Sequence, residues 1–305
     1  MDWMEEEWRI PVQVARQVRP LVRHAVEVES IRGGCIEALF DGSDAWSIVA
    51  VGLTAFISAC EIESYLAEPV PFPSLHILSR VLSGARGAFL SPREVGKGNA
   101  EGSLNQLTVY YGQTVKSPEA PLWRQMLPSS HKLHREVHGG YRLRRLLQDE
   151  WTENEPVFSH AGYRVLRRFP AGTPSPLGLG PLRAPRSLVG LTAAEAAEQL
   201  PGTTASFLFE YRKPRLGLTS AERRLLWHAL THDTDTDLTR ALNLSLNTIK
   251  TTWRRIYDRF ESRLPFVIEA AQDSDVATTR GAEKRRRVLA YVQDHLEELR
   301  PHSHD

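Results

Sequence analysis

The sequence predicts an α+β protein in two parts: a mixed domain of helices and strands over residues 1–212, then an all-helical domain entered through a linker at 213–217. Three observations carry this. Runs rich in β-branched and aromatic residues alternate with segments of helical period as far as residue 212. Strand signals stop at Pro214, and four or five short helical segments follow. The length of 305 residues suits two domains, and 41% hydrophobic with 25% charged residues excludes wholesale disorder.

Val12 to Val28 has helical spacing, with Pro20 expected to kink or divide it, and Gly33-Gly34 is expected to break the chain. Trp46 to Ser58 reads as one or two buried strands, Leu75 to Leu82 as a short helix, Gly87 to Leu90 as a strand, and Leu104 to Tyr111 as a strand. Glu119 to Leu147 reads as helical, broken at Pro128 and Gly139-Gly140, and Val157 to Phe169 as a hairpin or bulged strand. Four Pro and four Gly between Ala171 and Gly190 predict a loop. Ala193 to Gln199 is a helix and Ala205 to Tyr211 a final strand.

Lys+Arg number 38 against 37 Asp+Glu, so the formal net charge is +1. The near balance is a sum of opposed blocks: acid at Glu5 to Glu7, Asp233 to Asp237 and Glu297-Glu298, base at Lys250 to Arg259 and Arg280 to Arg287. It therefore does not exclude a polyanionic partner. The two cysteines, Cys35 and Cys60, have no metal spacing and read as buried thiols in a reducing compartment. The opening MDWMEEEWRIP is acidic and does not read as a secretory signal, and the longest apolar run is too short to span a bilayer. A cytoplasmic protein is the expectation, with no membrane partner.

The segment Leu218 to Phe260 is the informative one. Thr219 with Glu222 forms a capping box, and Leu225, Leu226, Ala229 and Leu230 follow on one face. Asp235 or Thr236 is placed to cap a second short helix carrying Leu238, Ala241 and Leu242; Asn243-Leu244 makes a tight turn, and Ser245 caps a third helix. On that helix Ile249, Trp253, Ile256, Tyr257 and Phe260 fall within about 100° of arc. Asn247, Lys250, Thr251, Arg254 and Arg255 lie opposite. Amides, hydroxyls and guanidinium groups near the start of such a helix suit base edges, and cations farther along suit phosphates.

Leu218-Thr219, Glu222, Leu225-Leu226, Asp237-Leu238, Leu242, Leu244-Ser245 and Thr248-Ile249-Lys250 fall at the spacings of the LuxR-type (GerE-like) helix-turn-helix, which this C-terminal segment resembles. His232, Thr239 and Thr252 depart from the usual residues of that pattern. The resemblance implies a DNA-binding domain over 218–271 acting as a homodimer on double-stranded DNA. Its contact residues would be Ser245, Asn247, Thr248, Lys250, Thr251, Arg254 and Arg255. Residues 272–305 add a connector and an amphipathic helix, Glu283 to Leu299, whose basic start suits phosphate or a solvated face and whose Val288, Val292, Leu296, Leu299 stripe suits core or a dimer surface.

Regulators of this type carry receiver, PAS, GAF or acyl-homoserine-lactone domains ahead of the helix-turn-helix. The acidic pair, phosphoacceptor and Lys of a receiver are not found, nor the pattern of the lactone sensors, which leaves a PAS- or GAF-like sheet by elimination. His131, His134 and His138 share a helical face and offer metal ligands or a plain polar face. The aromatic residues Trp46, Phe56, Tyr110, Tyr111, Phe158 and Tyr163 read as core rather than a ligand pocket. No nucleophile elbow or phosphate loop specifies catalysis or a cofactor, and Gly84 to Gly87 is too short for an acyl-carrier phosphate loop. The expectation is a non-enzymatic transcriptional regulator open to a small-molecule effector. The alternatives are an acyltransferase-like domain with a DNA-binding tail and a protein-interaction module.

Overall fold

In the computed structural model the described residues are 12–39, 46–85, 87–115, 120–200, 203–231, 234–269 and 277–302. The chain divides into two compact units, Met1–Glu210 and Tyr211–Asp305. The first is α+β around a six-stranded sheet, and the second is helical.

The strands of the first unit are β1 (Ile31–Leu39), β2 (Trp46–Ile57), β3 (Leu104–Gln113), β4 (Leu143–Trp151), β5 (Arg164–Phe169) and β6 (Arg186–Thr192), in the order β1-β2-β3-β4-β6-β5. All neighbours are antiparallel except β3 and β4, which run parallel. That pair is short, from Leu104 opposite Leu143 to Leu107 opposite Leu147, with a register shift after Leu104. Both strands continue past this point, β3 to Gln113 against β2 and β4 to Trp151 against β6, without further pairing to each other.

The helices around this sheet are α1 (Val12–Glu27), α2 (Ala59–Ala67), α3 (Pro73–Leu82), α4 (Pro92–Glu101), α5 (Pro121–His138), α6 (Glu155–His160) and α7 (Ala193–Ala197). Pro20 and Pro128 both lie inside continuous helices, so the expected breaks do not occur. Gly33 and Gly34 do not end an element either; they lie within β1. A Cβ on Gly33 would collide with the Gly52 carbonyl of β2, and one on Gly34 would stand 2.9 Å from the Leu133 side chain of α5. These glycines permit close approach of strand and helix.

Five further expectations are corrected. The helical reading of Glu119 to Leu147 ends at His138, and β4 takes over. Val157 to Phe169 is the short helix α6 followed by β5. The Pro/Gly-rich stretch conceals β6, whose first six residues are buried. Ala205 to Tyr211 is not a strand: Ser206–Phe209 forms a 3-10 turn. Cys35 and Cys60 are exposed and unbonded to one another, not buried.

The second unit contains α8 (Ser220–Ala229), α9 (Asp235–Leu242), α10 (Leu246–Arg263), α11 (Pro265–Glu269) and α12 (Ala277–Asp294), ending in a 3-10 turn at Leu296–Leu299. Leu225, Leu226, Leu238, Ile249, Ile256 and Phe260 share one core with Val288, Val292 and Leu299. Val288 and Val292 are fully buried. The apolar stripe of the last helix is therefore core, which removes it as a dimer surface. Among the described residues no helix is long and apolar enough to cross a membrane.

Candidate nucleic-acid interface and ligand cleft

Local hydrogen bonding sets the frame of the second unit. The Thr219 hydroxyl accepts from the Glu222 amide at 3.3 Å, and the Glu222 carboxylate accepts from the Thr219 amide at 2.7 Å, closing the capping box of α8. Buried Glu222 also pairs with Arg259 at 2.9 Å, tying the start of α8 to the far half of α10. Thr234, rather than Asp235 or Thr236, caps α9 by accepting from the Asp237 amide. Asn243 ends α9 in the left-handed region at φ 53°, ψ 46°, and Ser245 opens α10 two residues later. The junction is tight because asparagine tolerates this conformation and the Asn243 amide still reaches the Thr239 carbonyl.

With Ile249, Trp253, Ile256 and Phe260 buried, the opposite face of α10 is fixed outward. Asn247, Lys250, Arg254 and Arg255 are exposed and Thr251 is half-buried. Lys250, Arg254 and Arg255 have no ion-pair partner among the described residues. Ser245 and Thr248 are exposed but occupied with each other: the Thr248 amide donates to the Ser245 hydroxyl at 3.1 Å, and the two hydroxyls lie 2.9 Å apart. The seven residues expected at an interface thus run from the N-cap Ser245 to Arg255, past the middle of one helix. Beside them, a groove of about 700 Å³ is lined by Lys250, Trp253, Arg254, Tyr257, Arg285 and Arg286.

The basic start of the last helix is different. Lys284 pairs with Glu261 at 2.8 Å, Arg285 with Asp235 at 2.8 Å, and Arg286 and Arg287 both with Glu283 at 2.7 Å. Arg285 also lies over the Trp253 ring, 4.9 Å from its centroid. These cations are thus paired within the chain, unlike those of α10, and Arg286 stays exposed. His232 and residues 5–7 lie outside the described residues.

The first unit holds a cleft of about 890 Å³ where β3 and β4 part. The carboxyl ends of the two parallel strands supply Tyr111, Gln113, Gln148, Glu150 and Trp151 to its lining. The carboxyl ends of parallel strands are a favoured place for ligands because the connections there diverge. Just past the last ladder pair, the Thr108 hydroxyl donates to the Gln148 side-chain carbonyl at 3.2 Å, bridging the strands where they separate. Glu150 is held by the Trp151 amide and the Asn154 side chain, at 2.9 and 3.1 Å.

One wall is braced from beneath. Arg186 pairs with Asp149 at 2.6 Å in the interior, and its guanidinium lies 4.6 Å from the Phe72 centroid and 4.3 Å from that of Trp151. Burial pushes the Asp149 carboxyl up, against the pull of Arg186. Phe72 reaches this place from a left-handed backbone, φ 57°, at the start of α3. Both rings line the cleft.

The histidines of α5 do not form a metal site. Among the described residues no group of three His, Cys, Asp or Glu is placed to hold an ion. His138 is buried, with both ring nitrogens within 3.3 Å of the Thr54 hydroxyl. His134 packs against His138 at 4.6 Å between centroids and lines the cleft. Burial, with help from neighbouring His131, pulls the His134 pKa down to about 4, so the ring is neutral at pH 7. Of the aromatic residues expected in the core, Phe56 and Tyr110 are there and Trp46 is exposed, whereas Tyr111, Phe158 and Tyr163 line the cleft.

No known protein family and no curated protein matches the chain. Among solved structures, it resembles FeeM, an N-acyl amino acid synthase from uncultured soil microbes, with 12% identity and a TM-score of 0.26 over 63% of this chain and 91% of that one. That overlap is too slight to define a common fold.

Proposed function

We propose that this chain is a DNA-binding transcriptional regulator of the LuxR type, acting as a homodimer, with α10 in the major groove and the first unit as a sensor. One observation carries the reading: Lys250, Arg254 and Arg255 stand exposed and without ion pairs among the described residues, on the solvent face of a helix whose other face is locked in a core. Cations left without partners on one helix face are an electrostatic footprint for phosphates, while Asn247 and Thr251 are of the types that read base edges. The test is anisotropy of a labelled mixed-sequence duplex over 50–200 mM salt. Each phosphate neutralised contributes about 0.9 to the slope of log K against log salt, so Lys250→Ala with Arg254→Ala should flatten it by roughly 1.8 per engaged helix. Unchanged affinity and slope in that variant would sink the assignment and favour a protein-binding module.

A second reading, an acyltransferase-like first unit carrying a DNA-binding tail, is favoured by the cleft, where carboxylate Glu150 and neutral imidazole His134 line one cavity. Release of thiol from an N-acetylcysteamine acyl thioester, lost in Glu150→Gln, would support it. The same release from wild type and variant, or none from either, would remove it.

A further inference from the structure

We infer that the cleft of the first unit is a binding site for an uncharged, largely apolar small molecule carrying one hydrogen-bond donor, seated with that donor at His134. The inference goes beyond the DNA-binding reading and does not depend on it.

Size and surface come first. A cavity of about 890 Å³ falls in the range that encloses most of a small molecule. Its walls include Phe72, Trp123, Trp151 and Phe158, with Leu182 and Val157 between them. Flat aromatic walls supply large apolar contact area to a ligand of matching shape.

Charge then selects against anions. Among the described lining residues the carboxylates are Glu150 and Glu153, and Arg183 is the one guanidinium. Burial holds His131 below its ordinary pKa and His134 well below, so neither adds a positive charge at pH 7. The lining is therefore net negative. A phosphate, sulfonate or carboxylate group would enter against that field and lose its hydration without a partner.

The polar end is marked by one atom. His134, Tyr111, Ser130 and Gln148 line both this cleft and a smaller cavity of about 70 Å³ behind it, whose other walls include Leu53, Leu133 and Val137. The Nε2 atom of His134 is wholly buried and has no hydrogen-bond partner. An unpaired buried ring nitrogen is costly; with the neutral ring in its Nδ1–H tautomer, Nε2 is an acceptor, and a ligand N–H or O–H placed there removes the cost.

The experiment compares two dyes of similar shape on the full-length chain. N-phenyl-1-naphthylamine is uncharged with a single N–H, and 1-anilinonaphthalene-8-sulfonate adds an anion. Fluorescence titration at pH 7.5 should give one saturable site for the neutral dye, at least about tenfold tighter than for the sulfonate, the factor that one mismatched polar group commonly costs. His134→Phe should weaken the neutral dye by up to about tenfold. Val157→Arg, at a position 49% exposed and so tolerant of a long side chain, should narrow the preference for the neutral dye at least threefold by adding a cation to the wall. Sulfonate binding equal to or tighter than neutral binding, no saturable neutral site, or an unchanged ratio in Val157→Arg would each overturn the proposal. DNA binding is read separately, through Lys250→Ala with Arg254→Ala, so failure of one leaves the other standing.

Discussion

Acid should destabilise this protein through His134 before most carboxylates titrate. The ring has an ordinary pKa of 6.5 in an unfolded chain and is pulled to about 4 in the folded one, by burial first and by His131 second. Where the folded pKa is depressed, the unfolded chain takes up the proton first. Stability is then fully present above pH 6.5 and is lost as the pH falls toward 4. A difference of that size, at 1.36 kcal/mol per pH unit, sets a ceiling of about 3 kcal/mol. The groups facing His134 support the direction. His138 packs on its ring, the Tyr111, Ser130 and Gln148 side chains beside it are uncharged, and burial outweighs the carboxylates Glu150 and Glu153 elsewhere in the same cleft. The perturbation is His134→Gln, which keeps a polar side chain that does not titrate. The assay is urea unfolding at pH 7.5, 6.0, 5.0 and 4.5. Wild type should lose up to about 3 kcal/mol more than the variant across that series, while the second unit contributes equally to both and cancels. Parallel pH curves for the two proteins would refute the claim that folding holds the His134 ring neutral.

Two further predictions concern the helical unit. Because Asn243 occupies the left-handed region, Asn243→Val should destabilise by about 1–2 kcal/mol, whereas Asn243→Gly should be neutral within a few tenths or slightly stabilising; thermal melts would show the contrast, and equal effects would remove the backbone argument. The buried Glu298 carboxylate accepts from the Arg215 and Leu216 amides, each at 2.9 Å, so Glu298→Ala should cost about 1–3 kcal/mol by leaving the Leu216 N–H unpaired in the interior. Hydrogen exchange at residues 213–218 should quicken in that variant, and unchanged exchange would show that the contact does not fasten this segment.

Legibility in the sequence followed the range of the interactions. The capping box at Thr219 and Glu222, the turn at Asn243 and the cap at Ser245 were readable because each is completed within three or four residues. The buried and outward faces of α10 were readable too, since helical period alone separates Ile249 from Lys250. Strand β6 was hidden because two flanking Pro/Gly turns dominate its local signal, and β4 because LRRLL fits a helix as well as a strand until a neighbouring strand selects one. At 284–287 the local pairs of Glu283 with Arg286 and Arg287 lie within one turn, whereas the partners of Lys284 and Arg285, Glu261 and Asp235, lie 23 and 50 residues away and were not readable.

The sequence by itself determined the α+β class, a change of character near Pro214 and the polar, basic face of α10, all of which rest on local periodicity and capping. Only the tertiary structure decided that β3 and β4 run parallel and then part, which opens a cleft from Tyr111, Gln148, Glu150 and Trp151. It likewise decided that His134 is a half-buried, neutral ring with its Nε2 enclosed, outside any metal cluster of the described residues, and that Val288 and Val292 close a core. Those outcomes depend on which distant segments meet. Burial and strand pairing arise between residues far apart in the chain, and no short window of sequence contains both partners.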